Sequence, residues 1–196
     1  GDHGEEFMEH GHLAHYPKLY DELVHVPLVI EGPGIEPSIV EHHVGLDAIP
    51  PTVCDLLDVP APERWTGESL VPAMKDAEGP RDDPVISVAV RGGEITQQPI
   101  PRALSEGELL VSGRDADWTF IEHSETGHQE LYHRPSDPEQ QQDLSASPDP
   151  AAEAALDRLR PAVRAHADRL SGPGTAGDDD RVADGLAQQL EALGYK

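Results

Sequence analysis

The chain has 196 residues and a formal net charge of -24 at pH 7, with 37% hydrophobic and only 4% aromatic residues. This length suits one domain, or one domain with a small appendage. The acidic surface excludes nucleic acids and anionic membranes as favoured partners, no apolar run approaches the ~20 residues of a membrane helix, and a single cysteine excludes an internal disulfide.

The charge pattern indicates adaptation to salt. Acidic residues are abundant, whereas lysine occurs only at Lys18, Lys75 and Lys196. Repulsion among carboxylates is screened in a salt-rich cytoplasm, where the Debye length is about 3 Å at 1 M salt. We therefore expect an acidic, salt-adapted cytoplasmic protein. Secretion is the alternative, because the chain starts at Gly1 without a methionine and inside a motif, as expected for the C-terminal fragment of a longer protein.

The first 34 residues concentrate polar, metal-type ligands. Asp2 and His3 lie in a glycine turn, and His10, His12 and His15 follow closely. An amphipathic segment at 16–24 then predicts a short helix, and the continuous apolar run at 26–30 predicts a strand covered on both faces. Ordering such ligands ahead of a helix and a strand is costly unless they hold an ion. A simple metal-sequestering histidine tract is the weaker alternative.

A second helix is predicted from residue 47 to residue 57. Asp47 suits the N-cap, and prolines are tolerated in the first turn that follows it. The apolar residues at helical spacing are Ile49, Val53, Leu56 and Leu57. Cys54 falls on the apolar side of this helix and is interpreted as a core thiol.

From residue 84 to residue 132 the hydrophobic period changes towards two. Strands are predicted at 85–90, 109–112 and 118–122, separated by glycine-rich or polar turns. Together they predict a small antiparallel sheet.

The C-terminal part is predicted to be helical. Asp149 and Pro150 begin a helix, which Pro161 is expected to kink or split. Its apolar stripe consists of Leu156, Leu159, Val163 and Leu170. An acidic linker at 171–180 leads to a last helix at 182–193. We therefore divide the chain into a first part at 1–80, a small-sheet subdomain at 81–146 and C-terminal helices with their linker at 147–196.

Several motifs give the chain a family resemblance. The N-terminal ones are Asp2-His3-Gly4-Glu5, Glu9-His10-Gly11, His15, Tyr20-Asp21-Glu22 and His25-Val26-Pro27-Leu28-Val29-Ile30. Later ones are Gly67-Glu68-Ser69-Leu70-Val71-Pro72, Trp118-Thr119-Phe120-Ile121, Glu130-Leu131-Tyr132-His133 and Asp137-Pro138-Glu139. In order and spacing they resemble the C-terminal portion of the catalytic domain of sulfatases, in the alkaline-phosphatase superfamily, together with its C-terminal subdomain.

The resemblance implies an α/β fold. The chain would form the edge of an alkaline-phosphatase-like mixed sheet with flanking helices, followed by a small antiparallel sheet and C-terminal helices. The implied activity of the full-length protein is metal-assisted hydrolysis of sulfate monoesters. The expected substrate is an anionic small molecule or a glycan sulfate ester. The sequence does not specify an oligomeric state.

The resemblance also assigns site residues. Asp2 and His3 would be one half of a metal site, His15 would be catalytic and contact the substrate, and His10 would shape the loop. An Asp carboxylate and an imidazole adjacent in a tight turn can reach one divalent metal ion. Ca²⁺ is favoured, and the ring nitrogen makes Mn²⁺ or Zn²⁺ the alternatives. A surface histidine near a helix start is the competing interpretation of His15.

No residue of this chain matches the sulfatase nucleophile. In the family a Cys or Ser in C/S-x-P-x-R is converted to formylglycine, whereas Cys54 lacks the Pro and the Arg. Formylglycine is expected upstream, and the fragment alone is expected to be inactive. The alternatives are a phosphonate or phosphate ester hydrolase of the same superfamily and a non-catalytic, truncated metal-binding remnant. The acidic residues near the site are interpreted as a mostly solvated face: Glu5, Glu6, Glu9, Asp21 and Glu22.

Overall fold

A computed structural model describes residues 1–76, 83–91 and 108–171. The elements are β1 (Glu6–Phe7), β2 (Leu13–Ala14), α1 (Asp21–Val24), a 3₁₀ helix (Leu46–Ala48), α2 (Ile49–Leu56), α3 (Val71–Asp76), β3 (Val85–Arg91), β4 (Glu108–Arg114), β5 (Trp118–His123), β6 (Gln129–His133) and α4 (Pro150–Ser171). The predicted acidic linker beyond residue 171 and the helix at 182–193 lie outside the described residues.

The predicted antiparallel sheet is confirmed. Strands β3, β4, β5 and β6 follow one another in the sheet in chain order, each antiparallel to its neighbour. Val88 pairs with Val111, Gly113 with Phe120, and Phe120 with Leu131. Because the pattern has a period of two, alternate residues reach opposite faces of this sheet.

One face of the sheet is covered by α4. Asp149 accepts a hydrogen bond from the Ala151 amide at 2.9 Å, which caps the start of the helix. Leu159 and Val163 are fully buried against Phe120 and other sheet residues. The helix is continuous through Pro161. The helix is therefore not split, because buried residues on both sides of the proline hold the two halves against the same sheet face. The alternative, a kink at Pro161, stays a prediction.

The other face of the sheet holds the N-terminal segment. Leu19 is buried together with Leu110, Ile121 and Tyr132. The predicted helix at 16–24 is reduced to one turn, Asp21–Val24. Residues 16–20 are extended or turn-like instead, which places Leu19 in the core ahead of the helix.

The predicted strand at 26–30 is not formed, and Val29 is 87% exposed. A strand needs a hydrogen-bonded neighbour, and none pairs with this segment within the part of the chain that the structure describes. An apolar run predicts the tendency to be buried in a sheet, but it does not supply the neighbouring strand.

The helix predicted at 47–57 is confirmed as α2, although its cap is not. Asp47 lies inside the preceding 3₁₀ helix, and no side chain caps α2. The polar residue Thr52 is buried, whereas most of the predicted apolar stripe is exposed. The Thr52 hydroxyl donates to the Ala48 carbonyl at 2.6 Å and accepts from the Leu70 amide at 2.8 Å. Leu57 is 68% exposed. Among the helices in the described ranges, none has the length and apolar composition needed to cross a bilayer.

Candidate active site

The predicted metal turn lies at the start of the chain, against α1. The Gly4 amide donates a hydrogen bond to the Leu23 carbonyl at 2.8 Å, which attaches the turn to the helix. Nδ1 of His3 lies 2.9 Å from the Gly4 carbonyl oxygen. A carbonyl can only accept, so Nδ1 is the donor in this contact, and Nε2 is left for another partner.

The structure brings His15 to this turn. The rings of His3 and His15 have centroids 4.6 Å apart, and Nδ1 of His15 lies 2.7 Å from a carboxylate oxygen of Glu5. His3, Glu5 and His15 each offer one ligand atom, and these atoms all lie within 4.8 Å of one another. We call these three exposed residues the histidine cluster. Two imidazoles and a carboxylate form a donor set that fits a divalent ion, with more affinity for Mn²⁺ or Zn²⁺ than an all-oxygen set has.

Asp2 adjoins the histidine cluster in sequence, but its carboxylate is not one of the three grouped ligands. Its pKa is lowered by hydrogen bonding to backbone amides and by the neighbouring His3. The carboxylate is thus held in its charged form, which is the form that binds a cation. Asp2, His3 and His15 all line the same open cleft.

Glu5 is a site residue that we had not predicted, because acidic residues in this region were interpreted as solvated. The β1–β2 pairing explains its position. Glu6 pairs with Ala14 and Phe7 with Leu13, so Glu5 and His15 occupy the next rung of the hairpin. A hairpin with this register was the signal that sequence reasoning lacked.

Glu6 contradicts the solvated interpretation directly, since it is fully buried. Nζ of Lys18 donates to both of its carboxylate oxygens, at 2.9 and 2.8 Å. The amides of His10 and His12 donate to the same carboxylate at 3.0 and 2.9 Å. Burial acts to raise the pKa of Glu6, but Lys18 and these amides outweigh it, so the pKa lies below its ordinary value.

His10, predicted to shape the loop, links the hairpin to the rest of the protein. Its Nδ1 lies 2.6 Å from a carboxylate oxygen of Glu22 and its Nε2 lies 2.9 Å from the Gln140 carbonyl oxygen. Its ring stacks on Tyr20, with centroids 3.7 Å apart and an interplanar angle of 7°. Glu22 is largely buried, so the expectation that it faces solvent is wrong. The role of His10 in function stays a prediction.

Asp21 was also expected on an exposed face, and it is instead part of a buried ion network. Arg114 donates to its carboxylate at 2.8 Å and Arg134 at 3.3 Å. The side chains of Asp21 and Arg114 are only 15% and 8% exposed. Burial and the positive charge of these arginines lower the pKa values of His25 and His43. This network joins α1 to the ends of β4 and β6.

A second buried cluster lies beneath the stacked ring of Tyr20. The Glu130 carboxylate accepts hydrogen bonds from the hydroxyls of Tyr20 at 2.9 Å and Tyr132 at 2.5 Å, and Nε2 of His123 lies 3.4 Å away. Burial acts to raise the pKa of Glu130, but the hydrogen bonds from His123 and the two tyrosines dominate, and the pKa is about 2. The cluster therefore holds a carboxylate that stays charged at neutral pH.

Cys54 is half-buried in α2. Its interpretation as a core thiol is thus met only in part. It is not among the metal-ligand groups found in the described residues.

No protein-family model matches the chain. Among curated proteins, the Delta 4,5-hexuronate-2-O-sulfatase of Bacteroides thetaiotaomicron is 27% identical over 152 residues, which cover 75% of this chain and 30% of that protein. Arylsulfatase K of Homo sapiens is 40% identical over 76 residues, covering 38% of this chain and 14% of that protein. The chain thus spans less than a third of these relatives.

Solved structures give the same fold. The phosphonate monoester hydrolase of Silicibacter pomeroyi aligns with a TM-score of 0.64 and 26% identity, covering 86% of this chain and 33% of that one. A 2-O GAG sulfatase aligns with a TM-score of 0.57 and 21% identity, covering 87% of this chain and 34% of that one. The predicted α/β fold class is confirmed. The chain is a homologue of the sulfatases, in the alkaline-phosphatase superfamily, and it matches part of their length.

Proposed function

We propose that the complete protein is a sulfatase-like hydrolase that cleaves sulfate monoesters with the help of a divalent cation. The observation that carries the proposal is the histidine cluster. Two imidazoles and a carboxylate converge within 4.8 Å beside the Asp2-His3 turn, in a chain homologous to sulfatases.

Each site residue would have a separate role in the reaction. Asp2 and His3 would hold the cation, which supplies neutralisation of the anionic ester oxygens when it is bound. His15 would contact the ester and donate a proton to the leaving oxygen. Glu5 would orient the His15 ring through the 2.7 Å contact to Nδ1, which leaves Nε2 of this cleft-lining residue available to the ester.

The identity of the cation depends on which donors bind it. Hard oxygen donors favour Ca²⁺, whereas imidazole nitrogens favour Mn²⁺ or Zn²⁺. We propose Ca²⁺ if Asp2 is supported by further carboxylates, and Mn²⁺ or Zn²⁺ if the His3 ring nitrogen is a principal ligand. The nucleophile, expected as formylglycine, would come from a segment other than residues 1–196.

The substrate is proposed from the names of the relatives. One acts as a hexuronate 2-O-sulfatase and another is an arylsulfatase. We therefore propose an anionic sulfate ester, with sulfated acidic sugars first among the candidates. The net charge of -24 repels such substrates at low ionic strength, so salt should favour their binding.

A phosphonate monoester is the alternative substrate. It is favoured by the likeness to the phosphonate monoester hydrolase, which has a TM-score of 0.64 at 26% identity. The imidazole-rich donor set also suits the transition metals. Both reactions would use the same residues of this chain, so substrate assays have to separate them.

The test uses the product of the complete gene, assayed with 4-nitrophenyl sulfate and with an aryl phosphonate monoester. We expect sulfate ester hydrolysis to fall by about 10²–10⁴-fold in His15→Ala. His12→Ala is the matched control, because His12 lies in the same hairpin but outside the histidine cluster. Faster phosphonate hydrolysis would select the alternative. Hydrolysis of neither ester by a metal-loaded, folded protein would favour the non-catalytic remnant.

A further inference from the structure

The Glu6–Lys18 ion pair has no place in the chemistry proposed above, although it is the most completely bonded charged pair near the site. Both residues are buried, with side-chain exposures of 0% and 6%. Taking two charges out of water carries a large desolvation cost, and replacing such a pair by apolar residues is often neutral or stabilising. Stability alone is therefore a weak explanation for it.

We propose that Glu6 and Lys18 are positioning residues for the histidine cluster: they fix the β1–β2 hairpin in the one register that sets Glu5 against His15. The inference rests on the proposed function for its consequence in metal binding, but not for its structural claim. Neither residue touches the reacting atoms, so their effect would pass through the hairpin.

The argument begins with the loop between β1 and β2. The Glu6 carboxylate accepts from the His10 and His12 amides, and Nζ of Lys18 donates to the His10 carbonyl at 2.9 Å. The loop is thus wrapped around one ion pair. Two-stranded hairpins are marginal by themselves in water, so a short ladder of two rungs needs such an anchor.

Backbone conformation supports the same conclusion. Met8 in this loop and Ala14 in β2 have φ angles of +80° and +72°, although neither is glycine. Such conformations cost free energy and persist only where the surrounding structure determines them. The Glu6–Lys18 pair fixes the backbone between Met8 and Ala14, because it hydrogen-bonds to the backbone of His10 and His12.

The histidine cluster depends on the register of the β1–β2 hairpin. Glu6 pairs with Ala14, and His15 contacts Glu5 on the next rung. A slip by one residue would send these side chains to opposite faces. Phe7 and Leu13 on the remaining rung are 72% and 66% exposed, so burial of this rung does not hold the register.

The test compares two double variants of the 196-residue chain that differ in a single acceptor. Both remove the buried charges. Glu6→Gln/Lys18→Met keeps a carbonyl oxygen that can accept from the two amides, whereas Glu6→Met/Lys18→Met has a side chain of similar size without it. The first readout is the nuclear Overhauser effect between the His3 and His15 rings. The second is the affinity for Co²⁺, followed by its visible absorption.

We expect the ring contact to weaken in both variants relative to the wild type, and more in the Met variant, with a 10–100-fold lower Co²⁺ affinity. A wild-type ring contact and wild-type Co²⁺ affinity in both variants, with far-UV circular dichroism unchanged, would overturn the proposal. If the wild-type chain shows the ring contact but binds no Co²⁺, the metal proposal fails, and the ring contact still decides the positioning proposal.

If neither double variant folds, hydrogen exchange in the wild-type chain decides. The proposal requires protected amides at His10 and His12, because both donate to a buried carboxylate. The amide of Glu63, an exposed residue, serves as the reference for unprotected exchange. Exchange at His10 and His12 as fast as at Glu63 would overturn the proposal.

Discussion

A β-carbon placed on Gly4 would lie 1.9 Å from the carbonyl oxygen of Glu22. The turn that carries His3 thus packs directly on the backbone of α1. We predict that Gly4→Ala destabilises the protein by about 3 kcal/mol, because backbone atoms on both sides have to move. Thermal unfolding and the His3–His15 ring contact would both report the displacement.

Gly32→Ala is the control for this prediction. A β-carbon at Gly32 would meet Ile35 at 3.6 Å, which is ordinary van der Waals contact. Its unfolding temperature should stay close to that of the wild type. An equal loss in both variants would show that the close approach at Gly4 does not position the turn.

The Glu130 cluster predicts a specific acid sensitivity. Its pKa falls from 4.5 to about 2 on folding, so the carboxylate contributes stability that is present above pH 4.5 and lost as the pH falls towards 2. The contribution is on the order of 3 kcal/mol, at 1.36 kcal/mol per pH unit. Denaturant unfolding of Glu130→Gln between pH 5 and pH 2 should therefore show a shallower loss of stability than the wild type, by about that amount.

Glu153→Gln removes one exposed carboxylate from α4 and serves as the control. Its pH dependence should follow the wild type. Parallel curves for the wild type and Glu130→Gln over the same pH range would contradict the assignment of the low pKa to the three hydrogen bonds.

Local patterns predicted the sheet and α4 well. The alternation in 85–90 and 118–122 depends only on neighbouring residues, and so does the Asp149 cap. The strand expected at 26–30 depends on a distant partner strand, which no local pattern contains. This explains why the former predictions are confirmed and the latter is wrong.

The sequence predicted which residues belong to the site better than it predicted their contacts. Motif spacing selected His3 and His15, and the structure places their rings 4.6 Å apart. The charged residues were misjudged, because Glu6 and Asp21 look like solvated acids in sequence. Their partners, Lys18 and Arg114, are 12 and 93 residues away in the chain.

The Asp21 network predicts a contrast between buried and exposed ion pairs. Asp21→Asn leaves the buried Arg114 guanidinium without its counter-charge, so we expect a loss of about 3–5 kcal/mol. Arg164→Gln breaks a 2.9 Å pair with Glu122 in which the arginine is 54% exposed, and should cost less than about 1 kcal/mol. Urea unfolding of both variants would measure the two losses. Similar values would show that the Asp21 network is effectively solvated.

The packing of α4 on the sheet predicts that two destabilising substitutions partly compensate each other. A β-carbon on Gly113 would lie 2.8 Å from Cγ2 of Val163, so Gly113→Ala should destabilise the protein by about 1–3 kcal/mol through overpacking. Val163→Ala alone should also destabilise it, because a fully buried side chain is truncated. In the double variant the new methyl group fills space that the valine has left. The double-mutant cycle should therefore show a favourable coupling of about 1–2 kcal/mol in urea unfolding, whereas additive losses would mean that β4 and α4 adjust independently.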